Sequence, residues 1–253
     1  VYDVSNDCRH PVLQSSTPLG ILGHESGFSP DGRTLWISTT AQPGVTAIDV
    51  SNPRLPSILW RDSTITFHGM SLRADGNRLY GADLGTVKGL AILDVSQVQA
   101  RVPNPVVRQV SHLTWPEVSI PQNTIPVTVK GHRYLVEFDE YARNVASYTP
   151  ADMVGAARMI SIDDERHPKV VSTMRLEVNQ PASRATDQKD DPGAQYGVQG
   201  YAAHYCGVPR ATDPGPGGGA RTARRRRPRR WRRQSTRSRS TGGWRGATGL
   251  RRA

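Results

Sequence analysis

The sequence predicts an all-β fold, and three observations carry that prediction. A strand-like segment closed by aspartate recurs about every 45 residues. A glycine turn flanked by apolar alternation recurs in phase with it. Glycine (24) and proline (19) are plentiful, while no apolar run is long. Many short strands joined by tight turns fit that composition, and a length of 253 residues allows one or two domains.

The first element, VYDVSN (1–6), reads as a strand already under way, and the expectation is a sequence that begins inside a unit, with any leader peptide unseen. Its relatives are GVTAIDVSNPRLP (44–56), GLAILDVS (89–96) and the degenerate ARMISIDDERHP (157–168). Their aspartates, Asp3, Asp49, Asp94 and Asp163, are separated by 46, 45 and 69 residues. The longest gap carries an insertion of about 24 residues beyond the repeat, centred on 141–157, which reads as a surface excursion, helix or lid. Asp49 and Asp94 are expected to be turn-formers: their carboxylates can bond nearby backbone amides. The proline that follows Asp49 then forbids further ladder pairing. His10 and His167 fall in the same turn and read as structural.

The second motif aligns GHESGFSPDGRTLWIST (23–39) with FHGMSLRADGNRLYGAD (67–83). Asp31-Gly32 and Asp75-Gly76 read as hairpin turns, since glycine accepts positive φ without a Cβ clash. NTIPVTVKGHRYLVEFD (123–139) repeats the pattern, and QGYAAHYCGVP (199–209) starts a further copy. In the second unit the strands fall near 24–30, 34–39, 44–50 and 57–61. Four strands in about 45 residues is the size of one β-propeller blade. The expectation is an incomplete β-propeller of about four blades over residues 1–209, followed by a disordered tail over 210–253. A ring without closure exposes unpaired strand edges and invites aggregation.

The strands VTAIDVS and LAILDVS resemble the LVIVD-repeat family, and the resemblance covers residues 1–209. It implies a propeller, often extracytoplasmic, in a family mostly without an assigned activity. Fold likeness of this kind carries no chemistry.

The fourth unit starts on schedule and then gives way to ATDPGPGGGARTARRRRPRRWRR. From Ala211 onward there are 14 arginines, no lysine and one acid, so the formal charge of +11 divides into −2 for the body and +13 for the tail. Such a segment lacks the apolar residues to bury a core. Three readings compete: an arm that binds nucleic acid through phosphates, an inert terminus, or an out-of-frame translation of GC-rich DNA. The missing lysine and the break inside a repeat favour the last. Translating the coding DNA past Arg210 in the other two frames tests it: one frame should restore an apolar strand ending in an IDVS-like turn.

Candidate chemistry lies at equivalent places in the repeat. His24 and His68 each stand eight residues before the turn glycine; Asn123 holds that position in the next unit and His204 a similar one in the last. The first strand of a blade lines the central channel, so these residues are expected to converge on the axis. Neutral imidazoles there are ligands for a transition metal such as copper, zinc or iron, and Glu25 adjoins one of them. His24, His68 and His204 are therefore the candidate metal ligands, set against the simpler reading that repeated histidines only pack at the channel mouth. Glu137, Asp139 and Glu140 form an acid cluster, the first two on one strand face and Glu140 opposite; it reads as a solvated strand end. Cys8 and Cys206 lack metal-type spacing and read as separate thiols rather than a disulfide. PGPGGG (214–219) lacks the Gly-Lys-Ser/Thr of a phosphate loop, and no GxSxG, HExxH or CxxC occurs. The function classes that remain are a surface binding or scaffold module for a protein or small ligand, a metal-dependent enzyme, perhaps an oxidoreductase, using the channel histidines, and nucleic-acid binding through the tail.

Overall fold

A computed structural model describes residues 1–20, 23–40, 42–116, 118–140, 155–186, 189–192, 203–204 and 208. The first compact unit is Val1–Arg221. The arginine-rich tail, Cys206 and most of the 141–157 insertion lie outside the described residues.

Three four-stranded antiparallel sheets follow one another along the chain. The first contains β3 (Glu25–Phe28), β4 (Thr34–Ser38), β5 (Val45–Asp49) and β6 (Ser57–Asp62). The second contains β7 (Phe67–Leu72), β8 (Arg78–Asp83), β9 (Gly89–Asp94) and β10 (Arg108–Leu113). The third contains β11 (Ile120–Val129), β12 (His132–Glu140), β13 (Ala157–Ser161) and β14 (Lys169–Met174). Strand order equals chain order in every sheet, and the first strands β3, β7 and β11 pack against one another. That arrangement is three consecutive propeller blades, inner strand first. A short hairpin of β1 (Tyr2–Asp3) and β2 (Val12–Leu13) precedes them. By the repeat it corresponds to the outer half of another blade. The chain is thus all-β and an incomplete propeller, with helix confined to α1 (Ser96–Gln99), a 3-10 turn at Glu177–Asn179 and α2 (Pro181–Ala185) among the described residues.

The turns form for the reasons the sequence implies. Gly32 and Gly76 adopt φ of 70° and 75°, while the third hairpin turns at Lys130 (φ 50°) and Gly131 (φ 84°). Asp3, Asp49 and Asp94 accept bonds from the amides of Ser5, Ser51 and Ser96 at 2.8–3.0 Å. Asp163 departs from this pattern. It accepts from the Arg133 amide and faces His132 Nδ1, each at 2.7 Å, and Asp164 caps the turn instead by taking the Arg166 amide. His10 and His167 sit in their turns against Asp7 and Asp164, at 2.9 and 2.8 Å.

The middle blade is covered on both faces, and its first three strands send apolar side chains to each. Leu79, Ala91 and Leu93 pack toward Trp36, Val45 and Ala47 of the first blade. Tyr80, Leu90 and Ile92 alternate with them and pack toward Leu135, Ile160 and Ile162 of the third. Strand alternation sends successive side chains to opposite faces, so each blade interface receives its own apolar layer. The third blade offers Ile125, Val127, Phe138 and Ala157 on its far face, and Ala203 and Val208 pack there. Ala203 and Val208, from the start of the fourth unit, therefore lie on the face where a further blade belongs. Hydroxyls tie the inner strands β7 and β11 each to the neighbouring blade. Ser38 Oγ donates to the His68 carbonyl at 2.9 Å, and Thr124 Oγ1 donates to the Tyr80 carbonyl at 2.9 Å. No helix among the described residues is long and apolar enough to cross a membrane.

Candidate metal centre

His24 immediately precedes β3, and His68 is the second residue of β7. Because those inner strands pack side by side, the two imidazoles meet: His68 Nε2 and His24 Nε2 are 3.0 Å apart. Glu140, the last residue of β12, brings Oε1 to 3.6 Å from His68 Nε2. Its other oxygen, Oε2, lies 2.9 Å from His204 Nε2. The three predicted histidines thus converge on one place. His68 and Glu140 are buried, with side chains 4% and 7% exposed, while His204 is 57% exposed and faces outward.

Two further residues join them. The ligand atoms of His24, Glu25 and His68 all lie within 4.8 Å of one another. Gln122 donates from Nε2 to Glu25 Oε1 at 3.4 Å; with its amide turned over, it donates instead to Glu140 Oε2 at 3.2 Å and accepts from His204 Nε2 at 3.1 Å. Gly69 makes room for this. A Cβ there would collide with the Glu25 carboxylate and the Gln122 carbonyl.

The sequence alignment placed Asn123, not Gln122, at this position. The ladder between β11 and β12 is irregular between Pro121 and Asn123, and the extra residue advances the phase by one. Asn123 is instead fully buried, with neither side-chain polar atom hydrogen-bonded among the described residues. The acid cluster also needs correction, since all three carboxylates are buried rather than solvated. The expected alternation holds, but both faces of β12 are covered. Glu137 and Asp139 meet Arg158 Nη1 at 3.3 and 2.9 Å, and Asp139 Oδ2 also accepts from Trp115 Nε1 and the Ser119 amide. Arg158 lies over the Trp115 ring at 4.8 Å. Burial and the neighbouring Asp139 charge push Glu137 far above the usual carboxylate range. That pair is a structural anchor, and Glu140, on the opposite face, belongs to the histidine centre.

The electrostatics of the centre are those of a site short of positive charge. Burial raises Glu25 to about 7 against a hydrogen bond from Gln122, and the Glu140 charge adds to the rise. Burial alone raises Glu140 to about 7. Burial, then the proximity of His24, lowers His68 to about 4, against the pull of the Pro121 carbonyl, with His204 lowering it further. His68 is therefore neutral at ordinary pH, as a metal ligand must be. The spacing fits as well. Metal–nitrogen bonds of about 2.0–2.1 Å put neighbouring ligand atoms roughly 2.9–3.4 Å apart, and the centre offers separations of 3.0 and 3.6 Å. Imidazole with carboxylate is a donor set for zinc, copper, iron, nickel or cobalt.

Known structures share the general architecture at low identity. A protein assigned as a 6-phosphogluconolactonase from Bacteroides uniformis aligns with a TM-score of 0.48 and 17% identity, over 69% of this chain and 48% of that one. The periplasmic gluconolactonase of Pseudomonas aeruginosa gives 0.41 and 18%, over 60% and 41%. TolB from Acinetobacter baumannii gives 0.38 and 12%, over 69% and 37%. The chain spans about half the length of the first of these and less of the others. Likeness at this level says nothing of ligand or reaction, and the propeller assignment rests on the chain's own sheets. No family model matches the sequence, and no curated protein matches it.

Proposed function

We propose that this is a metal-binding propeller protein whose axial mouth holds one divalent transition ion and serves a metal-dependent activity. The observation that carries the reading is the convergence of His24, His68 and His204 with Glu25 and Glu140, residues drawn from three blades and the start of a fourth. His24 and His68 Nε2 with one Glu140 oxygen are the inner ligands in this reading. Glu25 and the exposed His204 complete or orient the set. The bound ion would supply Lewis acidity at an open face, where His204 reaches solvent. This favours the metal-dependent class over the pure scaffold. We also read the chain as an LVIVD-type propeller, because the repeated strands VTAIDVS and LAILDVS both serve as the third strand of a blade.

The test is a titration of the metal-free protein with Co(II), followed by its visible d–d bands, and with Zn(II) by competition. One ion per chain is expected. His68→Ala should lower affinity by more than the roughly 10–100-fold that outer-shell changes cost. A protein that takes up neither ion, or one whose uptake ignores His68→Ala, would overturn the reading.

A further inference from the structure

Beside the centre lies a cavity of about 200 Å³. His204 forms part of its wall, so the residue whose Nε2 meets Glu140 is shared between the two. The rest of the wall is mostly apolar: Phe138, Ala157, Met174, Leu176 and Ala203. Two lining residues besides His204 break that character, Arg175 and Asn179. Asn179, which closes the 3-10 turn, is 3% exposed, and its Oδ1 has no hydrogen-bond partner among the described residues. A buried amide oxygen left unpaired costs about 1–3 kcal/mol, and native structures seldom keep one without a purpose. Here the cost is met if something else brings a donor into the cavity.

We infer that this cavity is the ligand subsite of the metal centre, built for a small molecule with an apolar body, an N–H or O–H donor for Asn179 Oδ1, and an oxygen that reaches the ion past His204. The inference rests on the metal reading above and adds to it the chemistry of the ligand. The apolar lining seats the body, and Asn179 selects a molecule that donates over one that only accepts. Met174, 67% exposed, forms the rim of the cavity.

Two hydroxamates make suitable probes, since both chelate a metal through oxygen and both carry an N–H. Benzohydroxamate adds an aromatic body and acetohydroxamate does not. Binding to the Co(II)-loaded protein is read from the d–d bands. The aromatic probe should bind at least about tenfold tighter than the methyl one, the gain expected from burying a ring. Asn179→Leu should weaken benzohydroxamate by about tenfold while leaving Co(II) affinity unchanged. Met174→Trp, a change at an exposed position, should crowd the cavity and bring the two probes within about twofold of each other. Equal binding of both probes to the wild type, or a preference untouched by both substitutions, overturns the subsite while the metal reading stands. Failure to load Co(II) at all overturns both.

Discussion

His68 is an imidazole on a buried strand with a second imidazole 3.0 Å away, close enough for one neutral ring to donate to the other. For the two glutamates beside it, burial disfavours the charge. Each is raised to about 7, so in the metal-free protein their folded form prefers the proton. An acid with a raised folded-state value contributes stability below its unfolded value that is lost as pH rises through the folded one. The metal-free protein should therefore melt at a lower temperature near pH 8 than near pH 6, and Zn(II) should abolish the difference. His68, lowered to about 4, acts oppositely and removes stability only on acidification below its unfolded value of 6.5. Calorimetry across that range, with and without the ion, checks the sign. Gly69 offers a steric test at the same scale. Gly69→Ala should displace the Glu25 carboxylate, weaken Zn(II) binding, and destabilise the fold by about 1–3 kcal/mol, as overpacking does.

Among the elements, the turns and strand bounds were readable and the site's outer members were not. The strand expected near 34–39 is Thr34–Ser38, and that near 44–50 is Val45–Asp49. Turn glycines and the alternation of apolar residues are local signals, so they survive in the sequence. His24 and His68 were legible for the same reason, because the repeat places them in phase. Gln122 was not, since the irregularity before Asn123 shifts the register by one residue and nothing in the local pattern marks it. Glu140 was misjudged because its partner His68 is remote in the chain and only blade packing brings them together. Glu165 escaped notice too. It lies in the β13–β14 loop and is bonded by Arg73, Arg78, Arg133 and the Tyr80 hydroxyl, joining the second and third blades. Glu165→Ala should cost about 2–3 kcal/mol in chemical denaturation, less than a fully buried pair because the arginines keep contact with water. Loss of under half a kilocalorie would mark the cluster as ornamental.

At the scale of the whole molecule, several large apolar side chains of the first blade and the hairpin before it are exposed. Phe28 and Ile58 on the first blade are 40% and 41% exposed, and Tyr2, Val12 and Leu13 of the small hairpin are more so. Exposed apolar side chains beside open strand edges favour association. Sedimentation of the 253-residue chain should show self-association that grows with concentration, and Phe28→Ser with Ile58→Ser should reduce it. A wild type that stays monomeric at high concentration would refute this.

One consequence of the centre concerns time rather than affinity. His24, His68 and His204 stand 44 and 136 residues apart in sequence. An ion bound by all three would act as a removable cross-link, closing loops of those lengths in any partly opened chain. Loading could be completed only after the inner strands of the first two blades and the segment around His204 had come together. Unfolding would in turn have to wait for the ion to leave. The half-life of the loaded protein under denaturant should then follow the rate at which a chelator strips the metal, making release of the ion the clock for the fold.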